Sequence, residues 1–208
     1  KDDLIYTEYQ DYPLQNNLQA WINTNGEGVV NETASRLPVA DLAGYGFCYS
    51  YAFDLNADLH QDLILNNIEG HDMNGEINLS GEDIVLYNDG SGAFYLPEIN
   101  PLATVNRSVY DYYALDYDGD GAIDLLTTLF GFDDYTSLAM LRNTDGIWLE
   151  APGVVPPIYA HHNGVAIYDF SGDGIQDIFL PCVHMGQIAP DMYLVGNSNG
   201  TYTFANEL

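Results

Sequence analysis

The chemistry of this chain is concentrated in Asp116, Asp118, Asp120 and Asp124, at positions one, three, five and nine of a short loop that precedes the apolar run Leu125 to Phe130. Four carboxylates held so close together repel one another unless a cation sits among them. Every side chain offered is an oxygen donor, with no Cys or His interleaved, so the predicted occupant is a hard divalent ion such as Ca²⁺. The backbone carbonyl of Ala122, at position seven, would add a further donor, and Gly121 falls where the chain must turn sharply with positive φ.

The pattern recurs. Asp169, Ser171, Asp173, the carbonyl of Ile175 and Asp177 precede Ile178 to Leu180, while Asp54, Asn56, Asp58, the carbonyl of His60 and Asp62 precede Leu63 to Leu65. Two Ca²⁺ sites are expected, at the loops of Asp116 and Asp169. The loop of Asp54 departs from the pattern, with Leu59 where Gly is expected and Ala57 before Asp58, so a third site there is the weaker expectation. Near the N-terminus, Asp3 and Leu4 to Tyr6 match only the last acid and the strand behind it. Aligned on that acid, the copies stand at 3, 62, 124 and 177. An EF-hand needs a bidentate Glu at position twelve and a helix after it. Position twelve is Thr127, in a segment rich in Leu and Thr, so the loop is expected to feed a strand.

A second landmark keeps the same period. Asn23 to Gly26, Asn88 to Gly92, Asn143 to Gly146 and Asn197 to Gly200 each lie between apolar or aromatic runs, the short-range signal of a tight β-hairpin. Acidic loop, strand, connection, strand, hairpin and strand, in fifty to sixty residues, is the size of a four-stranded propeller blade.

These residues resemble the FG-GAP or VCBS repeat family, whose Ca²⁺-loop β-propeller blades occur in integrin alpha heads and in many secreted proteins. The resemblance implies an all-β chain of four-stranded antiparallel blades forming one repeat domain over 1–208. It would comprise an incomplete blade at 1–38, one with a degenerate loop at 39–100, one with a strong loop at 101–155 and one at 156–208. It also implies a non-enzymatic extracellular module for adhesion, recognition or structure.

Composition agrees. Four Lys plus Arg against 31 Asp plus Glu give a formal net charge of -27, which nucleic acid and anionic membrane surfaces repel. No run of apolar residues is long enough to span a membrane as a helix. Few Lys and Arg beside abundant Tyr, Gly and Asn are typical of extracellular proteins, so the expected setting is secreted or cell-surface, and four N-glycosylation sequons at Asn31, Asn78, Asn106 and Asn199 point the same way. The absence of a signal peptide and of an initiating Met suggests a mature or excised piece. Cys48 and Cys182 are expected to be buried free thiols.

No nucleophile elbow, phosphate-cradling loop, His-Glu-x-x-His pair or Cys and His dyad is present, so an enzyme is not expected. His161 and His162 would point to opposite faces of a strand and read as loop residues. Two alternatives stay open. One is a carbohydrate-binding module, with exposed Tyr, Trp148 or the irregular stretch from Asn66 to Glu82 meeting sugar. The other is a subunit of a polymer, because the incomplete first blade leaves an edge that could take a strand from a neighbour. Among further expectations, strands are predicted over 3–9, 18–23, 29–33 and 46–53, the last packed on both faces, and Trp21 is placed in the core.

Overall fold

A computed structural model describes residues 4–6, 18–24, 28–42, 47, 49–66, 82–105, 109–129, 137–158, 164–181 and 191–205. The stretch 67–81, both cysteines, the His161 and His162 pair, His184, Asn78 and Asn106 lie outside them.

The described chain is built from β-strands, with one four-residue helical turn. It divides into two compact units, Lys1–Asn106 and Arg107–Leu208. In the first unit, β1 (Leu4–Tyr6), β2 (Gln19–Asn23) and β3 (Val29–Asn31) form a three-stranded antiparallel sheet. The strand expected over 29–33 stops at Asn31, and Thr33–Arg36 forms the helical turn α1. The Asn31 side chain accepts the N–H of Thr33 at 3.0 Å, and the Thr33 hydroxyl accepts the N–H of Ala20 at 3.0 Å. The first bond, between residues two apart, competes with the ladder locally, and the second gives the Ala20 N–H a side-chain acceptor in place of a strand partner. Strands β4 (Tyr49–Phe53), β5 (Asp62–Asn66), β6 (Ile84–Asn88) and β7 (Phe94–Tyr95) form a four-stranded sheet in that order.

The second unit holds two further four-stranded antiparallel sheets. One runs β8 (Val109–Leu115), β9 (Asp124–Leu129), β10 (Leu138–Thr144) and β11 (Ile147–Glu150). The other runs β12 (Ala166–Tyr168), β13 (Asp177–Leu180), β14 (Met192–Gly196) and β15 (Tyr202–Phe204). In each four-stranded sheet the acidic loop joins the first strand to the second, and the Asn-Gly type hairpin joins the third to the fourth.

The core of each unit lies between its two sheets. In the first, Leu63 and Leu65 of β5 and Ile84 and Leu86 of β6 pack with Leu18, Ala20 and Phe47. In the second, Leu126, Leu138 and Met140 meet Ile178, Leu180, Leu194 and Tyr202. The strand after each acidic loop is the most buried: all five residues of β5 are buried, as are Asp124 to Thr128 of β9. Strand β4, expected to be covered on both faces, is an edge strand from Tyr49 onward, with Tyr49 and Ala52 exposed. Its aromatics Tyr49, Tyr51 and Phe53 share one face, where Tyr51 stacks on Phe53 at 6.4 Å. Trp21 is half-buried, its indole N–H donating to Gln19 Oε1 at 3.0 Å, so it borders the core.

Candidate metal centre

Each acidic loop is shaped by its first carboxylate. Asp116 Oδ1 accepts the backbone N–H groups of Gly119 and Asp120 at 2.9 and 3.1 Å, and its Oδ2 accepts that of Gly121 at 3.0 Å. Asp169 does the same for Gly172, Asp173 and Gly174 at 2.7, 3.1 and 2.9 Å. Asp54 takes Asp58 and Leu59, both at 3.0 Å. The fifth position then accepts the N–H of the seventh: Asp120 from Ala122, Asp173 from Ile175 and Asp58 from His60, at 2.9, 2.9 and 2.8 Å. Gly121 and Gly174 turn with φ of 86° and 88°. Leu59 adopts φ of 72° at the same position, and Ala57 φ of 59° where the other loops have Gly119 and Gly172, so the loop of Asp54 keeps the fold of the others without their glycines.

In the loop of Asp116 this winding brings the acids together. Among the described residues, Asp116, Asp118 and Asp120 each offer a carboxylate oxygen, and the three oxygens lie within 4.8 Å of one another. A carboxylate has about four lone-pair positions, and Asp116 spends three on backbone N–H groups, so one lone pair remains. Asp118 accepts only the Asp120 N–H from the loop backbone, at 3.2 Å. The remaining donors are all carboxylate oxygens, which suit a hard cation that takes six to eight oxygens, so the group could hold a metal. The Arg142 guanidinium also faces it, with Nη2 2.8 Å from Asp118 Oδ2 and 3.3 Å from Asp120 Oδ2.

The other two loops offer mixed sets. Ser171 donates its hydroxyl to Asp169 at 3.4 Å, and Asn56 donates its amide to Asp58 at 3.0 Å, each placing a neutral group where the central loop has an acid. Ala122, Ile175 and His60 stand at the seventh position, each with its N–H engaged by the fifth-position acid.

The ninth-position acids stand apart. Asp62, Asp124 and Asp177 are each wholly buried. One oxygen of each reaches back to the loop's start, accepting the N–H of Leu55, Tyr117 and Ser171 at 3.0, 3.3 and 2.8 Å. The other accepts an N–H from the end of the third strand: Asn88, Asn143 and Gly196 at 2.9, 2.7 and 2.9 Å. Each therefore clamps the acidic loop to the hairpin of its own sheet. The hairpin asparagines complete the joint. Asn88 and Asn143 donate their amides to the carbonyls of Gln61 and Ile123, at 3.2 and 3.1 Å. At the third joint Gly196 replaces Asn because a Cβ there would lie 2.5 Å from the Gln176 carbonyl.

The three clamps differ electrostatically. Burial pushes Asp124 up to about 6, aided by the charges of Asp118 and Asp120 and opposed by the N–H groups of Asn143 and Tyr117. Burial likewise raises Asp62. For Asp177 burial acts upward too, but the Tyr193 hydroxyl, donating at 2.7 Å, and the Gly196 and Ser171 N–H groups outweigh it and hold the acid below its ordinary value.

Spacing alone pointed to the loops, and it did not show the clamps, whose partners sit on another strand. It also missed Arg142, which immediately precedes a hairpin Asn and is one of only four basic residues in the chain. Trp148, named as a surface for sugar, is fully buried, and its indole N–H donates to the Ile123 carbonyl at 3.0 Å. It supports the same joint from β11.

Acid spacing, the winding of the loop and the strand that follows it coincide with a known repeat over residues 116–180. That segment carries an FG-GAP-like repeat. The FG-GAP-like segment opens on Asp116 itself, takes in β9 to β11 and the whole loop of Asp169, and ends at Leu180 with β13. The resemblance inferred from the acids and hairpins thus holds in the stretch where the loops follow the pattern best. No curated protein matches the chain. Among the described residues no helix is long and apolar enough to cross a membrane.

Proposed function

We propose that the chain is a non-enzymatic, Ca²⁺-stabilised module of propeller-blade type that works outside the cell in adhesion, recognition or structural assembly. The observation that carries this reading is the group of Asp116, Asp118 and Asp120, three carboxylate oxygens within 4.8 Å at the start of the FG-GAP-like repeat. Bound there, Ca²⁺ would neutralise clustered charge and fix the turn between β8 and β9. The protein's own part is positional: the backbone N–H groups orient Asp116 and Asp120, and Asp124 holds the loop against the hairpin. The extracellular setting rests on the acidic composition and on Asn31 and Asn199, two sequon asparagines that are exposed.

The reading is tested by thermal melting in EDTA and in millimolar Ca²⁺, with calorimetric titration of the metal-free protein. A ligand at a hundred times its Kd adds about 2.7 kcal/mol, or roughly 10 °C or more for a unit of this size. Asp118→Asn should remove most of the effect attributable to this loop. An unchanged melting temperature with no heat of binding would refute Ca²⁺ stabilisation.

A second reading, glycan binding, is favoured by an exposed aromatic ladder beside the loop of Asp169. Tyr168 and Phe170 are 66% and 50% exposed, and Phe170 meets Tyr193 edge-on at 6.1 Å. Such rings supply stacking faces for sugar. Glycan-array signal lost in Tyr168→Ala would support it, and an array without signal would remove it.

A further inference from the structure

We propose that Arg142 is a tethered competitor for the cation, occupying Asp118 and Asp120 when metal is absent and leaving them when metal binds. The inference rests on the Ca²⁺ reading of this loop and adds a control on its affinity. One guanidinium nitrogen bridges both carboxylates, at 2.8 and 3.3 Å, and the Arg142 side chain is about half exposed, free to swing outward. Both carboxylates belong to the group of three that could hold the metal. A positive charge at that distance also opposes an incoming divalent ion directly.

The position is particular to this loop. Arg142 follows Leu141, which pairs with Leu125, so it lies opposite Asp124. In the other two four-stranded sheets the register puts Tyr87 opposite Asp62 and Val195 opposite Asp177, and neither is a cation. The strongest acid cluster therefore carries its own counter-charge, and at the matching strand position the loops with a neutral Asn56 or Ser171 carry none. Metal-free, the loop of Asp116 is spared the full mutual repulsion of its acids, and its Ca²⁺ affinity is lowered accordingly.

The test is a Ca²⁺ titration of the full chain carrying Asp58→Asn and Asp173→Asn, so that the signal comes from the loop of Asp116, with and without Arg142→Gln. Arg142→Gln should bind Ca²⁺ about three- to tenfold more tightly and should melt at a lower temperature in EDTA. Arg142→Met, which keeps the aliphatic stem, should behave alike, whereas Arg142→Lys should stay near the parent affinity. Equal or weaker binding in the Gln and Met variants would overturn the competitor role while leaving the Ca²⁺ site standing. Absence of binding in every version would overturn the Ca²⁺ reading itself, and this inference with it.

Discussion

Replacing Asp177 by Ala tests a ninth-position acid apart from the clustered carboxylates at positions one, three and five. The carboxylate accepts the Gly196 N–H at 2.9 Å, the Ser171 N–H at 2.8 Å and the Tyr193 hydroxyl at 2.7 Å, and it has no exposed surface. Tyr193 is part-exposed and can turn to water, but the two N–H groups would be left without an acceptor. Each such loss costs about 1–3 kcal/mol, so Asp177→Ala should destabilise the second unit by about 2–6 kcal/mol. Little relief offsets this, because the folded state already favours the ionised form of Asp177. The assay is urea unfolding in EDTA, followed by circular dichroism and by the fluorescence of buried Trp148 in a Trp21→Phe background. Asp118→Asn, measured alongside, should change metal-free stability far less. A loss below about 1 kcal/mol for Asp177→Ala in EDTA, or one seen only with Ca²⁺ present, would show that the clamp is not an independent structural element.

Two further outcomes are expected. Leu59 is 89% exposed and sits at φ of 72°, so Leu59→Gly should relieve left-handed strain without loss of burial and raise stability by roughly 0.5–1 kcal/mol. Equal or lower stability in urea unfolding would count against strain in that loop. Burial pushes Tyr113 and Tyr202 up to about 12 from 10.0, with nearby acids adding to the effect. A raised pKa in the fold means the neutral phenol is favoured there, so this stabilisation is complete below about pH 10 and is lost as pH climbs through about 12. Spectrophotometric titration should show late-ionising tyrosines coincident with unfolding, and their ionisation with free tyrosine would contradict the described packing.

The winding of the acidic loop was legible in the sequence because its constraints are local. Alternating carboxylates create a repulsion that spacing alone reveals, and Gly121 marks a turn that a side chain resists. The hairpins were legible for the same reason. What escaped involves partners far along the chain. Asp124 looks like one more acid until its bond to the Asn143 N–H, 19 residues away, shows it facing inward. Arg142 looked like a hairpin flank because nothing in one dimension says that it lies over Asp118. The aromatic alternation of 46–53 could not show how far each face of the strand is covered, since that depends on elements distant in the sequence. Trp148 failed in the opposite sense: a large aromatic near a turn can be a platform or a plug, and here its indole N–H is used inside.

The ninth-position clamps also bear on how such a chain can diversify. Each joins the start of a second strand to the end of a third, spanning 26, 19 and 19 residues. The joint closes the two strands at the end where acidic loop and hairpin meet, opposite the end from which the chain connects one strand to the other. The length of that connection can therefore differ between repeats without altering the geometry of the acid, the hairpin or the loop. The repeat works as a cassette with a fixed frame and one replaceable insert, which is where natural variation or a grafted peptide can be accommodated at least cost to the rest.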